Sequence, residues 1–110
     1  MDTYYEPKDL DAFGTIAEHA PDLGAKFFAW YGAVFQDGAL TAREKALIAL
    51  GVAHAVQCPY CIDAYTRDLL SRGCDEEQLT EAVHVAAAIR GGASLVHGVQ
   101  MKKVVHDLGM

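Results

Sequence analysis

Two stretches of the chain have no polar side. Ala46 to Val56 and Ala82 to Ile89 are apolar throughout except for His54 and His84. Apolar residues elsewhere recur at intervals of three and four rather than two, and no alternating runs flank a hairpin turn, so both stretches read as helices. A helix that is apolar all round must be covered on every side. A chain of 110 residues makes one domain, here spanning 1–110, and buries about two-thirds of its unfolded surface. Short helices from so small a chain can hardly enclose two such segments. The sequence therefore predicts that subunits pack together as a homo-oligomer.

The remaining helices are set by their start and stop signals, and together they predict a compact, all-α, six-helix domain. A first helix runs from about Pro7 to His19 and ends before Pro21. A second starts at Pro21, carries Phe27, Phe28, Trp30, Tyr31 and Phe35, and stops near Gly38. Thr41 with Glu44 three residues on forms a capping box that opens the third. The fourth runs from Pro59 to about Arg72 and ends at Gly73. The fifth follows Asp75 as its N-cap and ends at Arg90. Gly91-Gly92 is expected to loosen the chain before a sixth helix from Ala93 to about Leu108.

The formal net charge of −6 argues against nucleic acid and anionic membrane, both of which favour a basic face. There is no apolar run of spanning length and no signal-peptide pattern at the acidic N-terminus, so a cytoplasmic location is expected. In a reducing compartment, three cysteines with two close together read as redox chemistry or metal binding rather than as a disulfide framework.

The pair is Cys58-Pro59-Tyr60-Cys61. Pro59 suits the first turn of a helix, where its missing N–H would have no partner. Cys58 then sits at or near the N-cap and Cys61 inside the first turn, where free N–H groups and the helix dipole favour a thiolate. Such a pair can close a disulfide with modest rearrangement. Three other readings compete. Zinc would need Cys58 and Cys61 with two of His54, His84 and His97, but no second Cys or His pair follows at short spacing. Covalent haem needs His directly after the second cysteine, where Ile62 stands. Two small core cysteines are the third reading. Gly91-Gly92 lacks a phosphate-loop context, and no bound cofactor or resident metal is expected.

His54 lies four residues before Cys58, about 400° round a helix and so on nearly the same face. Either it exchanges protons with the thiol or it is a core histidine bonded to a backbone carbonyl. Tyr65 lies one turn beyond Cys61, where its hydroxyl can donate to a thiolate; with a pKa near ~10 it is a poor base at neutral pH. His84 reads as a buried, hydrogen-bonded residue. Cys74 reads as a partly exposed bystander in a turn.

The run Leu40-Thr41-Ala42-Arg43-Glu44-Lys45-Ala46-Leu47-Ile48-Ala49-Leu50, continuing to Cys58-Pro59-Tyr60-Cys61-Ile62-Asp63-Ala64-Tyr65, resembles the alkylhydroperoxidase D-like, or carboxymuconolactone decarboxylase, superfamily. Residues from Glu76-Glu77 to Gly91-Gly92-Ala93-Ser94 fit the same pattern. The resemblance implies an all-helical subunit assembling into trimers or hexamers. It also implies a dithiol that cycles against peroxide in the peroxidase branch. There the cysteine matching Cys61 attacks, the one matching Cys58 resolves, and an external dithiol restores both. Helix-start electrostatics alone would make Cys58 the more acidic thiol. The branch carries a Glu where this chain has Ala46 and a His where it has Tyr65. Glu44, about 200° round the helix from position 46, points the wrong way to substitute.

The whole chain, including Phe27-Phe28-Ala29-Trp30-Tyr31-Gly32-Ala33-Val34-Phe35, also looks like a narrower peroxidase-like group associated with arsenosugar biosynthesis. The expected function is a peroxidase-like thiol-disulfide oxidoreductase using Cys58 and Cys61, with His54 and Tyr65 tuning protonation. The alternative is a dithiol protein that binds a soft ligand such as arsenite or zinc. A decarboxylase would not require the paired cysteines.

Overall fold

The computed structural model describes residues 4–109. Its order is two short 3₁₀ turns, Pro7–Leu10 and Phe13–Thr15, then four α-helices: α1 Pro21–Val34, α2 Ala42–Val56, α3 Pro59–Ser71 and α4 Glu76–Asp107. The helix starts follow the sequence signals. Thr41 and Glu44 close a reciprocal capping box on α2, and Asp75 and Gln78 do the same on α4. Pro21 and Pro59 lie in the first turns of α1 and α3. The α3 end is followed by Gly73 at φ 87°, a conformation that costs any side chain with a Cβ.

Three of the six expected helices take other forms. The segment from Pro7 to His19 is not an α-helix. Its amides bond carbonyls three residues back, as in Asp9 N–H to Glu6 O and Ile16 N–H to Phe13 O. Gly14 in its middle lowers its helix propensity, and the stretch docks on α3 through Asp9. The fifth and sixth helices are one helix, α4, which runs through Gly91-Gly92 without a break. Each helical Gly costs about 1 kcal/mol against Ala, too little to stop a helix with no Pro to block it.

The core sits where α2 meets α3 and α4. Ala46, Leu50, Leu69 and Cys74 are buried together, with Leu47, Tyr65, Leu79 and Ala82 packed around them. Cys74 is thus a core residue at 4 % exposure, not a partly exposed bystander, because the turn after α3 folds it back under Leu69. His84 is the converse: it is exposed on α4 rather than buried.

The expected compactness is also corrected. The radius of gyration is 18.9 Å, against roughly 13 Å for a compact chain of this length. The cause is α4, which at 1.5 Å per residue extends about 48 Å, far beyond its contact with α2. From Gly91 to Asp107 every residue is exposed except part-buried Gly98. The accessible surface is 8513 Å², whereas a folded monomer of 11.9 kDa exposes about 6,000 Å². Among the described residues no helix is long and apolar enough to cross a membrane.

Candidate functional site

Cys58 is the N-cap of α3 and Cys61 lies in its first turn, because Pro59 starts the helix between them. The two are joined as a disulfide, with their Cα atoms 5.3 Å apart, well inside the range that bridge geometry allows. The Cys61 amide donates to Cys58 Sγ at 3.2 Å, so the Cys58 sulfur occupies the place of a capping oxygen. In the reduced protein that N–H and the helix dipole favour a negative sulfur at Cys58.

One turn along α3, Tyr65 meets a residue that sequence reading left among the apolar stripe of the second segment. The hydroxyls of Tyr65 and Tyr31 are hydrogen-bonded to each other between α3 and α1. Phe35 stacks on the Tyr65 ring, and Phe27 and Phe35 flank Tyr31. Burial first, and the Tyr31 bond second, push the Tyr65 pKa well above its ordinary value. Tyr65 therefore stays protonated across the physiological range and acts as a donor, not a base.

Two cavities meet at Cys61, Tyr31 and Tyr65. One, of about 930 Å³, also takes in Cys58 and lies beneath the N-terminal segment. The other, of about 620 Å³, runs between α1 and α2 past Val34, Ile48 and Val52. The N-terminal segment that covers the first is tied to α3 by two phenols. Tyr5 O–H donates to Asp63 Oδ2 at 2.8 Å, and Tyr60 O–H donates to Asp9 Oδ2 at 3.2 Å. The two rings pack edge to face.

Asp63 also pairs with Arg67, and these two partners, Arg67 first, hold its carboxyl below the usual range. A lowered folded-state pKa gives stability that is complete above the unfolded value, near ~3.9, and is lost as pH falls through the folded value. Hydrogen exchange of the N-terminal segment, normalised to the intrinsic exchange rate at each pH, should therefore be steady down to about pH 4 and faster below it. In Asp63→Asn that additional pH-dependent rise should disappear. A rise that persists unchanged in the variant would show that other carboxylates govern the segment.

His54 sits in the last turn of α2, with its Nδ1 at 2.9 Å from Leu50 O. A carbonyl only accepts, so Nδ1 carries the hydrogen and Nε2 is the nitrogen left to take a proton. His54 is not among the residues lining either cavity. The structure thus brings Cys58, Cys61 and Tyr65 together, adds Tyr31, and leaves His54 one element back with a backbone partner. Ala46, where the resembling branch has Glu, is buried against Leu50 and Leu69. Glu44 is held in the capping box, whose bonds from Thr41 lower its pKa. Among the described residues no group of three or more His, Cys, Asp or Glu side chains is arranged to hold a metal ion, so His54, His84 and His97 do not gather round the pair.

The carboxymuconolactone decarboxylase family model matches residues 21–101. A Paracoccus denitrificans protein, named as uncharacterized protein 4 in the cox locus, is 37% identical over 102 residues, spanning 93% of this chain and 92% of its own. A solved structure from Methanobacterium thermoautotrophicum superposes with a TM-score of 0.74 at 34% identity, covering 76% of this chain and 94% of that one. An apo carboxymuconolactone decarboxylase family protein from Legionella pneumophila superposes with a TM-score of 0.69 at 32% identity, covering 84% of each chain.

Proposed function

Because the chain belongs to the carboxymuconolactone decarboxylase family, we propose that it is a thiol-dependent, peroxidase-like oxidoreductase that cycles Cys58 and Cys61 between dithiol and disulfide. The observation that carries this reading is the pair itself, at a helix start, open to a cavity and one turn from a phenol pair. The Cys61 thiolate attacks the outer oxygen of a peroxide, the O–O bond breaks, and the departing alkoxide or hydroxide takes a proton from Tyr65. Tyr65 is then reprotonated through Tyr31. Cys58 attacks the resulting Cys61 sulfenic acid and water leaves. An external dithiol then attacks Cys61, giving its own disulfide and restoring the protein dithiol. Cys58 suits the leaving role in that last step, because the Cys61 N–H stabilises it as a thiolate. The protein works as a cytoplasmic homo-oligomer.

A second reading rests on the same geometry. Two adjacent thiols facing one cavity form a chelate for a soft, thiophilic ligand such as arsenite or zinc. The likeness to an arsenosugar-associated group belongs with this reading.

Counting free thiols separates the two. In the peroxidase reading, peroxide removes two thiols per chain much faster than it oxidises free cysteine, and an external dithiol returns them. Thiols that react no faster than free cysteine sink that reading, and arsenite titration of the reduced protein then tests the other. Tyr65→Phe should slow the peroxide step by about a hundredfold, the scale of one lost proton donor, while leaving disulfide reduction by dithiol unchanged. Stopped-flow measurement of the two half-reactions distinguishes this from general damage, which would slow both.

A further inference from the structure

The cavity of about 930 Å³ that takes in both cysteines has apolar walls and charges of one sign. Leu10, Phe13, Ile16 and Phe28 supply the walls, and Asp9, Glu18 and Asp68 supply three carboxylates. Among the described residues no Lys, Arg or His lines it. Asp9 and Glu18 belong to the N-terminal segment, residues 4–20, which carries Glu6, Asp9, Asp11 and Glu18 against Lys8 as its one permanent cation. That segment precedes the residues matched by the family model, so family membership does not supply this roof. Resting on the dithiol reading above, we propose that this cavity is a charge-selecting entrance to the dithiol. It admits reagents with an apolar body and a neutral or positive charge, and Asp9, Glu18 and Asp68 turn anionic ones away.

Two of the three carboxylates keep their charge uncompensated. Among the described residues neither Asp9 nor Glu18 forms an ion pair with a Lys or Arg. Asp9 accepts from the uncharged phenol of Tyr60 at 3.2 Å. Glu18 stands 3.4 Å from His19, with both side chains exposed to solvent that screens the pair. Asp68 accepts from Arg72 Nε at 2.7 Å, and Arg72 does not line the cavity. Apolar walls lower the local dielectric, so a charged reagent between them feels these carboxylates more strongly than it would in open water.

Cys58 is the residue to follow, because it borders this cavity and not the one past Lys45. Its labelling is measured in the full-length reduced Cys61→Ser protein, where no neighbouring thiol can displace the label and the other thiol, Cys74, is buried. The probes are methanethiosulfonates of similar size that end in a quaternary ammonium, a sulfonate or an uncharged group. The Cys58 thiolate attacks the sulfenyl sulfur, a mixed disulfide forms and methanesulfinate leaves. Each rate is divided by that of free cysteine with the same reagent, and the acidity of Cys58 cancels between reagents. The cationic probe should be favoured over the anionic one about tenfold, and the preference should shrink in about 1 M salt, where screening acts within about 3 Å. Glu18→Lys should remove most of the preference. Asp107→Lys, the same change of charge at the end of α4, should leave it in place. A loosened N-terminal segment would speed all three probes alike, whereas a change of charge moves the two charged probes in opposite directions.

A ratio near one in the unaltered cavity, a ratio that salt does not change, a preference that survives Glu18→Lys, or an equal loss in Asp107→Lys would each overturn the proposal. Peroxide-driven loss of two thiols is measured alongside on the wild type. If that fails while the labelling ratios behave as expected, the redox reading falls and the charge-selecting entrance stands.

Discussion

Cys61→Ser is expected to lose peroxide turnover to background, at least about a thousandfold, and to yield no trapped sulfenic acid at Cys58. Cys58→Ser is expected to fail one step later. It should consume a single equivalent of peroxide, stop, and give a sulfenic acid at Cys61 that a diketone reagent traps. The contrast follows from where the two sulfurs lie. Cys61 borders both cavities and stands one turn from the phenol pair, whereas Cys58 borders only one and has its sulfur occupied as a helix cap. The substitutions are mild structurally, since serine is itself a preferred N-cap and keeps the start of α3 at position 58. The buried thiol of Cys74 adds a constant to the count in every variant. A sulfenic acid found in Cys61→Ser instead of Cys58→Ser would reverse the roles. Helix-start electrostatics would then govern nucleophilicity here, and the resemblance would have misassigned the attacker. Mass spectrometry of the trapped adduct decides between them.

Local signals carried most of this architecture. Thr41 with Glu44, Pro59, Gly73 and Asp75 each act within one helical turn, so the sequence places α2, α3 and the start of α4 directly. Balances between weak terms were less legible. Gly91-Gly92 reads as a break because two glycines disfavour helix, yet the helix on either side propagates through them. The Pro7–His19 stretch is as long as α3 but is interrupted by Gly14, and its form comes from docking on α3 through Tyr5, Asp9 and Tyr60. Tyr31 was missed for a different reason: its partner is 34 residues away. The available clue was the i, i+4 aromatic row Phe27, Tyr31, Phe35, in which only the middle ring has a polar tip that needs a hydrogen-bond partner when covered. Cys74 shows the same limit, since a thiol after a glycine gives no local sign that the turn folds it inward.

Leu69→Ala is expected to cost about 2–5 kcal/mol, enough to leave much of the protein unfolded at 37 °C if its stability is of ordinary size. Leu69 is fully buried and, among the described residues, shares that enclosure with one other large side chain, Leu50. The rest of the described apolar core is made of Ala46, Ala53, Ala86 and Cys74, which supply little area. Truncation at Leu69 opens a void between α2 and α3 that alanines cannot relax to fill. Leu70, its neighbour in sequence, is 53 % exposed on the outer side of the same helix, and Leu70→Ala should cost no more than about 0.5 kcal/mol. The adjacent pair controls for helix propensity, since both changes are Leu to Ala within α3. Urea unfolding at one fixed protein concentration measures the difference and holds any contribution from subunit association constant. Equal losses at the two positions would mean that stability comes chiefly from surfaces between subunits, with Leu70 buried there, rather than from the core around Leu69. A loss confined to Leu69 would mean that each subunit is held by this small core, on which the reactive turn at Cys58 is built.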